Sequence, residues 1–198
     1  MTVPAHPAHE EMYAAGKALG LDHLKLGMWF FLASEVMFFG GLIAAFAHYK
    51  VNRPATETAA LDVVLVGLNT FLLLTSSFTV VRGLAAIQAG SRRGLIAYLG
   101  LTILLGAAFL SGQGYEFASL YRDGITLSSS IFGSTFFTLT GFHGMHVLVG
   151  VLWALATLAK AARGGYSAQD FVGVEIFGLY WHFVDVVWIV LFTVIYLL

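Results

Sequence analysis

Seven side chains able to carry protons or bind metals lie within or at the edge of strongly apolar stretches of this sequence. They are Glu35, Glu116, His143, His146, Glu175, His182 and Asp185. Ionisable groups are expensive inside a membrane, so each is a candidate for proton support or for a buried polar contact. The chain has no cysteine, which excludes thiolate metal sites, disulfides and cysteine nucleophiles.

The spacing of these groups places several of them on common helix faces. His143 and His146 are three residues apart, and Glu175, His182 and Asp185 follow one another at steps of seven and three. Residues at such spacings share one face of a helix. We therefore expect two polar stripes, each facing the interior of a helix bundle.

Three interpretations of these groups compete. In the first, His143 or His146 ligates a haem opposite His182, although nothing in the spacing requires it. In the second, the acids form the path of a proton-coupled carrier, but carriers typically have broken helices around a midplane site. The prolines that could break a helix are all outside the apolar stretches, at Pro4, Pro7 and Pro54. The third interpretation, buried hydrogen bonds that fix helix packing, is favoured for Glu116, Glu175, His182 and Asp185.

Glu35 is expected near the middle of the membrane. It lies about ten residues into its apolar stretch, or roughly 15 Å at the helical rise per residue. A lone carboxylate at that depth must be protonated or find a partner, and a histidine of a neighbouring helix is the obvious one. Depth alone does not choose between His143 and His146.

Five apolar segments are long enough to cross a bilayer as helices, which needs about 20 residues. They are 26–47, 61–86, 95–117, 131–159 and 171–198. Hydrophobic residues make up 59% of the chain and charged residues only 11%, too little polar surface for a soluble domain of this size. We predict an all-α membrane protein: a polar N-terminal extension (1–24), without the features of a signal peptide, and one five-helix bundle (25–198).

The distribution of basic residues predicts the orientation of the chain. Seven would be cytoplasmic if the N-terminus is inside: Lys17, Lys25, Arg82, Arg92, Arg93, Lys160 and Arg163. Lys50, Arg53 and Arg122 would be outside. The positive-inside rule then places the N-terminus in the cytoplasm and the C-terminus in the periplasm. Arg82, Arg92, Arg93, Lys160 and Arg163 could also bind anionic lipid headgroups, whereas a net charge of −1 suggests no nucleic-acid partner.

Four motifs resemble the subunit III family of the haem–copper respiratory oxidases. They are WFFLASEVMFF at 29–39, LNTFLLLTSS at 68–77, TGFHGMHV at 140–147 and YWHFVDVVW at 180–188. They occur in the family's order and spacing and cover nearly the whole chain from about Leu24 onward. The chain resembles the five-helix bacterial form, which lacks the two N-terminal helices of longer family members.

The resemblance implies an accessory subunit of a proton-pumping cytochrome c oxidase in the bacterial inner membrane. Such a subunit packs against subunit I, next to subunit II, binds phospholipid and supports proton uptake. It holds no haem, copper or other metal, because those centres lie in the partner subunits. The family's histidine motif makes His143 the expected partner of Glu35. Subunit III of a ubiquinol oxidase is the alternative, although Glu35, where those relatives tend to have aspartate, favours cytochrome c oxidase; an independent proton-coupled carrier is a distant third.

Overall fold

The computed structural model describes residues 23–50 and 61–198 and shows five helices there, with no strand in these ranges. The helices are α1 (His23–Lys50), α2 (Val63–Gln88), α3 (Arg92–Arg122), α4 (Ile131–Ala162) and α5 (Val172–Phe192). A π-helical turn, Thr193–Leu197, follows α5. All five are long and apolar enough to cross a membrane, which confirms the predicted five-span, all-α architecture. Most of the predicted polar extension lies outside the described residues.

Several helices are longer than the apolar segments that predicted them. The third segment was expected over 95–117, whereas α3 runs from Arg92 to Arg122. Apolar composition follows only the hydrocarbon core of the bilayer, about 30 Å thick. A helix of 31 residues is roughly 46 Å long, so its charged ends continue through the headgroup region.

Side-chain caps fix where α2, α3 and α4 begin. Asp62 accepts a hydrogen bond from the Leu65 amide at 3.0 Å, Ser91 from Gly94 at 3.2 Å and Ser130 from Gly133 at 3.0 Å. Each cap satisfies an amide that the first helical turn leaves without a partner. The connections from α2 to α3 and from α3 to α4 are short, so these consecutive helices run antiparallel.

α5 is the central helix of the bundle and α1 the most peripheral. Half of the most apolar window of α5 is buried inside the protein, against 17% of that of α1. The most extensive helix pair is α2 with α3, α5 packs on α2 and α4, and α1 packs on α4 and α5. Because α1 and α2 both pack on α5 without packing extensively on each other, a cleft remains between them.

Trp181 of α5 fixes this helix against three others. Its ring fits against Gly106 of α3 and Gly150 of α4, where an added Cβ would lie 2.9 Å and 2.7 Å from ring carbons. Its indole Nε1 donates a hydrogen bond to Ser76 of α2 at 2.9 Å. The two glycines therefore allow a close approach that any larger residue would prevent.

Candidate intramembrane polar site

Glu35 and His146 form an acid–base pair inside the membrane-spanning region, between α1 and α4. Glu35 Oε2 lies 3.3 Å from His146 Nε2, and the two side chains are only 17% and 12% exposed. The His146 ring also packs edge-on against Phe39, with ring centroids 5.1 Å apart. An acid on the peripheral helix is thus paired with a base on the neighbouring helix, in apolar surroundings.

The backbone of α4 determines which ring nitrogen of His146 faces Glu35. His146 Nδ1 lies 2.7 Å from the Phe142 carbonyl oxygen, which can only accept a hydrogen bond. Nδ1 therefore carries a proton, and Nε2 faces Glu35. The pair can exist as carboxylic acid with neutral imidazole, or as carboxylate with imidazolium. A single proton moving between Glu35 and His146 converts one form into the other without changing the total charge.

The expectation that Glu35 pairs with His143 is wrong. His143 is completely buried and stacks on Trp188 of α5, with ring centroids 4.8 Å apart. Neither of its ring nitrogens has a hydrogen-bond partner among the described residues. Three residues on a helix correspond to a rotation of about 300°, so the two histidines point about 60° apart. That difference directs His143 towards the bundle interior and His146 towards α1.

An apolar groove adjoins the Glu35–His146 pair. It has a volume of about 340 Å³ and is lined by His146 together with Met28, Phe31, Met145, Trp153 and Tyr180. The Tyr180 hydroxyl donates to the His146 carbonyl oxygen at 2.9 Å, which ties α5 to this part of α4. The lining apart from His146 is aliphatic or aromatic, so the Glu35–His146 pair borders a largely apolar space.

The polar residues of α5 form a second group, facing α1 and α2. Glu175 pairs with Lys25 of α1 at 2.5 Å. His182 Nδ1 lies 2.6 Å from the Ser77 hydroxyl of α2. Asp185 is 3% exposed, and its carboxyl interacts with the Ser77 hydroxyl of α2. Asp185, Ser77 and His182 thus form one polar contact between α5 and α2.

Glu116 has a separate and simpler environment near the other end of the bundle. It is 5% exposed and accepts a hydrogen bond from the Tyr196 hydroxyl at 2.8 Å. Tyr196 belongs to the π-helical turn that follows α5. This contact fastens the end of the chain to α3, as expected of a packing hydrogen bond.

The arrangement of His143, His146 and His182 does not fit a haem or a closed metal site. Within 23–50 and 61–198, no three histidine, aspartate or glutamate side chains converge as metal ligands. The ring nitrogens of His146 face Phe142 and Glu35, and one nitrogen of His182 faces Ser77. His143 lies flat on Trp188, where a macrocycle would have to displace the indole. Glu35 and Asp185 therefore do not complete the four ligands of a tetrahedral site around the histidine pair.

Three of the five candidate lipid-binding cations already contact other parts of the chain. Arg82 lies over the Tyr98 ring, Lys160 lies over the Tyr166 ring at 4.4 Å, and Arg92 donates to the Ala162 carbonyl. Tyr166, whose ring lies under Lys160, is partly buried, and this burial raises the pKa of its hydroxyl above the usual range. The remaining two, Arg93 and Arg163, are exposed cations at the same end of the bundle.

Comparison with known proteins decides the family. Residues 12–198 match the family described as cytochrome c oxidase subunit III. The cytochrome c oxidase subunit 3 of Thermostichus vulcanus is 38% identical, over 92% of this chain and 94% of its own. That of Bacillus subtilis is 39% identical, over 100% and 93%. The chain belongs to the cytochrome c oxidase subunit III family. Quinol oxidase subunit 3 of Bacillus subtilis, 40% identical over 87% and 86%, is a relative as well.

In this family member, the four sequence motifs meet in pairs. Glu35 of the first motif faces His146 of the third, which joins α1 to α4. Thr70, Ser76 and Ser77 of the second motif contact three residues of the fourth, which joins α2 to α5. Their partners are the indoles of Trp188 and Trp181 and the ring of His182. The motifs are therefore helix-packing contacts as well as family markers.

Sequence reasoning missed some members of the second group. Ser77 and Lys25 were not recognised as partners of the α5 residues, although Lys25 was counted as a basic residue at the inner edge. Serine is common in membrane helices, so only its position beside another serine in LNTFLLLTSS could have indicated a special role. Lys25 is a long side chain at a helix end, where its partner depends on how α1 and α5 pack.

Proposed function

We propose that this chain is the accessory subunit III of a proton-pumping haem–copper oxidase that oxidises cytochrome c. The match to the family over residues 12–198 is the observation that supports this most strongly. In the proposed arrangement the chain contains no redox centre and packs against subunit I, next to subunit II. Haem and copper belong to those partners. The membrane is the bacterial inner membrane, with the N-terminus in the cytoplasm and the C-terminus in the periplasm.

The proposed contribution of this chain is to stabilise subunit I and to support proton uptake. Two features favour that role. The Glu35–His146 pair can hold one proton between α1 and α4, and the described residues include no cluster of three or more side chains that could hold a metal ion. The proposal therefore assigns the chain proton handling and structural support, and assigns oxygen reduction to its partners.

Electron-donor specificity tests the choice between the two oxidase classes. We would purify the complex through a tag on this chain and compare oxygen consumption with reduced cytochrome c and with a ubiquinol analogue. Rapid oxidation of cytochrome c, with little quinol oxidation, is expected. The opposite preference would assign the chain to a quinol oxidase, the class of one relative.

Anionic phospholipid is the proposed ligand of the basic end of the bundle. Arg93 and Arg163 are the best candidates, since they are exposed at the end where α3 begins and α4 ends. Cationic side chains at the inner edge attract anionic headgroups. A shallow cavity beside Arg93, lined also by Gly90, Ser91 and Ile96, gives a headgroup room to approach.

Lipid retention tests this ligand. The purified complex carrying Arg93→Gln together with Arg163→Gln should retain less phosphatidylglycerol or cardiolipin after detergent washing, as measured by mass spectrometry. Arg122→Gln removes an exposed cation from the opposite end of α3 and is the matched control. Equal retention in the double variant and the parent would contradict a headgroup role for this pair.

A further inference from the structure

The cleft between α1 and α2 leads from one membrane face to the polar group on α5. It has a volume of about 290 Å³ and is lined by Lys25 and Trp29 of α1, Leu84 of α2, and Glu175, Leu179 and His182 of α5. The Lys25–Glu175 ion pair lies at its outer rim, near the first turns of α1 and α5. His182 lies two helical turns further along α5 than Glu175, so the cleft penetrates well into the membrane-spanning region.

The inner end of the cleft is polar. His182, the deepest of the ionisable residues that line it, has its Nδ1 atom 2.6 Å from the Ser77 hydroxyl of α2. Asp185 lies one helical turn further along α5, behind the cleft lining; it is 3% exposed, and its carboxyl interacts with Ser77. His182 therefore presents a polar ring to the cleft, and buried polar groups in native proteins are hydrogen-bonded to protein or to ordered water.

Water suits this polar inner end better than a lipid chain does. An acyl chain in the cleft would surround His182 and the Lys25–Glu175 pair with hydrocarbon. Ionisable residues in membrane helices face the bundle interior or a water-filled cavity. At roughly 30 Å³ per molecule, the cleft has room for several waters.

We propose that the α1–α2 cleft is a water-filled inlet. It opens at the membrane face where Lys25 and Glu175 lie, and its water hydrogen-bonds His182, which contacts Ser77 behind the cleft lining. This goes beyond the proposed accessory role, because it assigns a hydrated site within this chain whichever donor the oxidase uses.

The inlet ends at His182, the deepest residue of α5 that lines it, and does not cross the membrane. One turn beyond Ser77 on α2 lies Leu73, which is completely buried. One turn beyond Asp185 on α5 are Trp188, whose indole is bonded to Thr70, and Ile189. The buried side chains of Leu73 and Trp188 close the inner end, so water enters and leaves the proposed inlet by the same opening.

Cysteine accessibility tests the inlet, since the chain has no cysteine of its own. In the complex reconstituted into liposomes, Leu179→Cys would be exposed to a membrane-impermeant cationic thiosulfonate added from either side. Leu155→Cys is the matched control: both positions lie seven residues from the helix end at the same membrane face, and Leu155 is 44% exposed outside the cleft. Ser91→Cys, in the turn between α2 and α3, identifies that face.

The inlet predicts that Leu179→Cys reacts at least about tenfold faster than Leu155→Cys, because the reactive thiolate forms poorly in apolar surroundings. Reaction should occur only from the face that labels Ser91→Cys, as read from the mass of this chain. Leu84→Cys probes the same cleft from α2 and should also react. Equal rates at Leu179→Cys and Leu155→Cys, or reaction from the opposite face, would overturn the inlet. Labelling of Leu73→Cys would overturn its closed end.

Discussion

At the scale of single residues, the pairing of Glu35 with His146 gives a charged group a tolerable position inside the membrane. The histidine donates its Nδ1 proton to the Phe142 carbonyl, so its other nitrogen is directed at the acid. Each partner satisfies the other, and removing one leaves a poorly solvated polar group. The energetic cost of such a group is about 1–3 kcal/mol.

Substitution of Glu35 should separate its hydrogen-bonding role from its role in proton transfer. Glu35→Gln retains a hydrogen bond to His146 but cannot exchange a proton. We expect this variant to assemble with a normal visible spectrum, and to turn over more slowly at alkaline pH, where protons are scarce, or to inactivate faster. Glu35→Ala should be worse, because it also leaves His146 without its partner.

Glu116→Gln is the control for the Glu35 substitution. It makes the same acid-to-amide change at a site that can still accept a hydrogen bond from Tyr196, and it should leave the pH profile unchanged. Turnover, pH profile and working lifetime equal to those of the parent in both Glu35 variants would reduce Glu35 to a packing residue.

A double-mutant cycle should identify the partner of Glu35. Combining Glu35→Ala with His146→Ala should give a coupling of about 0.5–3 kcal/mol in the stability of the complex, as expected for contacting residues. Combining Glu35→Ala with His143→Ala should give nearly additive effects, since His143 packs against Trp188 instead. The thermal midpoint of the purified complex would report both. A larger coupling with His143 would contradict the observed pairing.

The identity of that partner shows where sequence reasoning reached its limit. Burial of Glu35 in a span and the need for a histidine partner follow from composition and depth. His143 and His146 lie close together on one helix, and only the rotation of α4 about its axis distinguishes them. That rotation is set by packing, including the stacking of His143 on Trp188, and depends on residues far apart in the sequence.

At the scale of helices, the existence of each element was predictable and its ends were less so. Twenty apolar residues with few charges identify a span from local composition alone. The ends depend on caps such as Ser91 and Ser130 and on charged turns outside the hydrocarbon core. The cleft between α1 and α2 depends on how three helices pack together, which local composition does not specify.

The close packing of α4 against Trp181 predicts a large effect at one glycine and a small effect at another. Gly150→Ala would place a Cβ 2.7 Å from the indole ring, so the helices must move apart. Overpacking of this kind costs about 1–3 kcal/mol. Gly141→Ala, on the same helix, meets no atom within 4 Å and should be nearly neutral. Thermal midpoints of the two variant complexes would test this, and equal midpoints would refute the packing argument.

At the scale of the whole molecule, the basic residues predict one orientation in the membrane. Fusions of a reporter after Leu198 should be active in the periplasm, and fusions within the turn at Ser91 should be active in the cytoplasm. Paired fusions of alkaline phosphatase and a fluorescent protein at each position would measure this. A cytoplasmic signal after Leu198, or a periplasmic one at Ser91, would reverse the topology.

Family membership and the paired motifs together explain why so much of the overall fold could be predicted from the sequence. The motifs were recognisable in the sequence, and their pairing joins α1 to α4 and α2 to α5. Their common purpose in packing was not evident from the sequence, because each partner lies on a different helix. The proposed accessory role requires that this bundle be separable from the redox centres.

The most direct test of the accessory role is to separate this chain from its complex. We would purify the oxidase through a tag on a partner subunit, release this chain with a stronger detergent, and record the visible spectrum and metal content of both fractions. All haem and copper should remain with the partners, the released chain should be colourless, and the depleted enzyme should inactivate faster until the chain is restored. Stoichiometric haem or metal in the released chain would contradict the account.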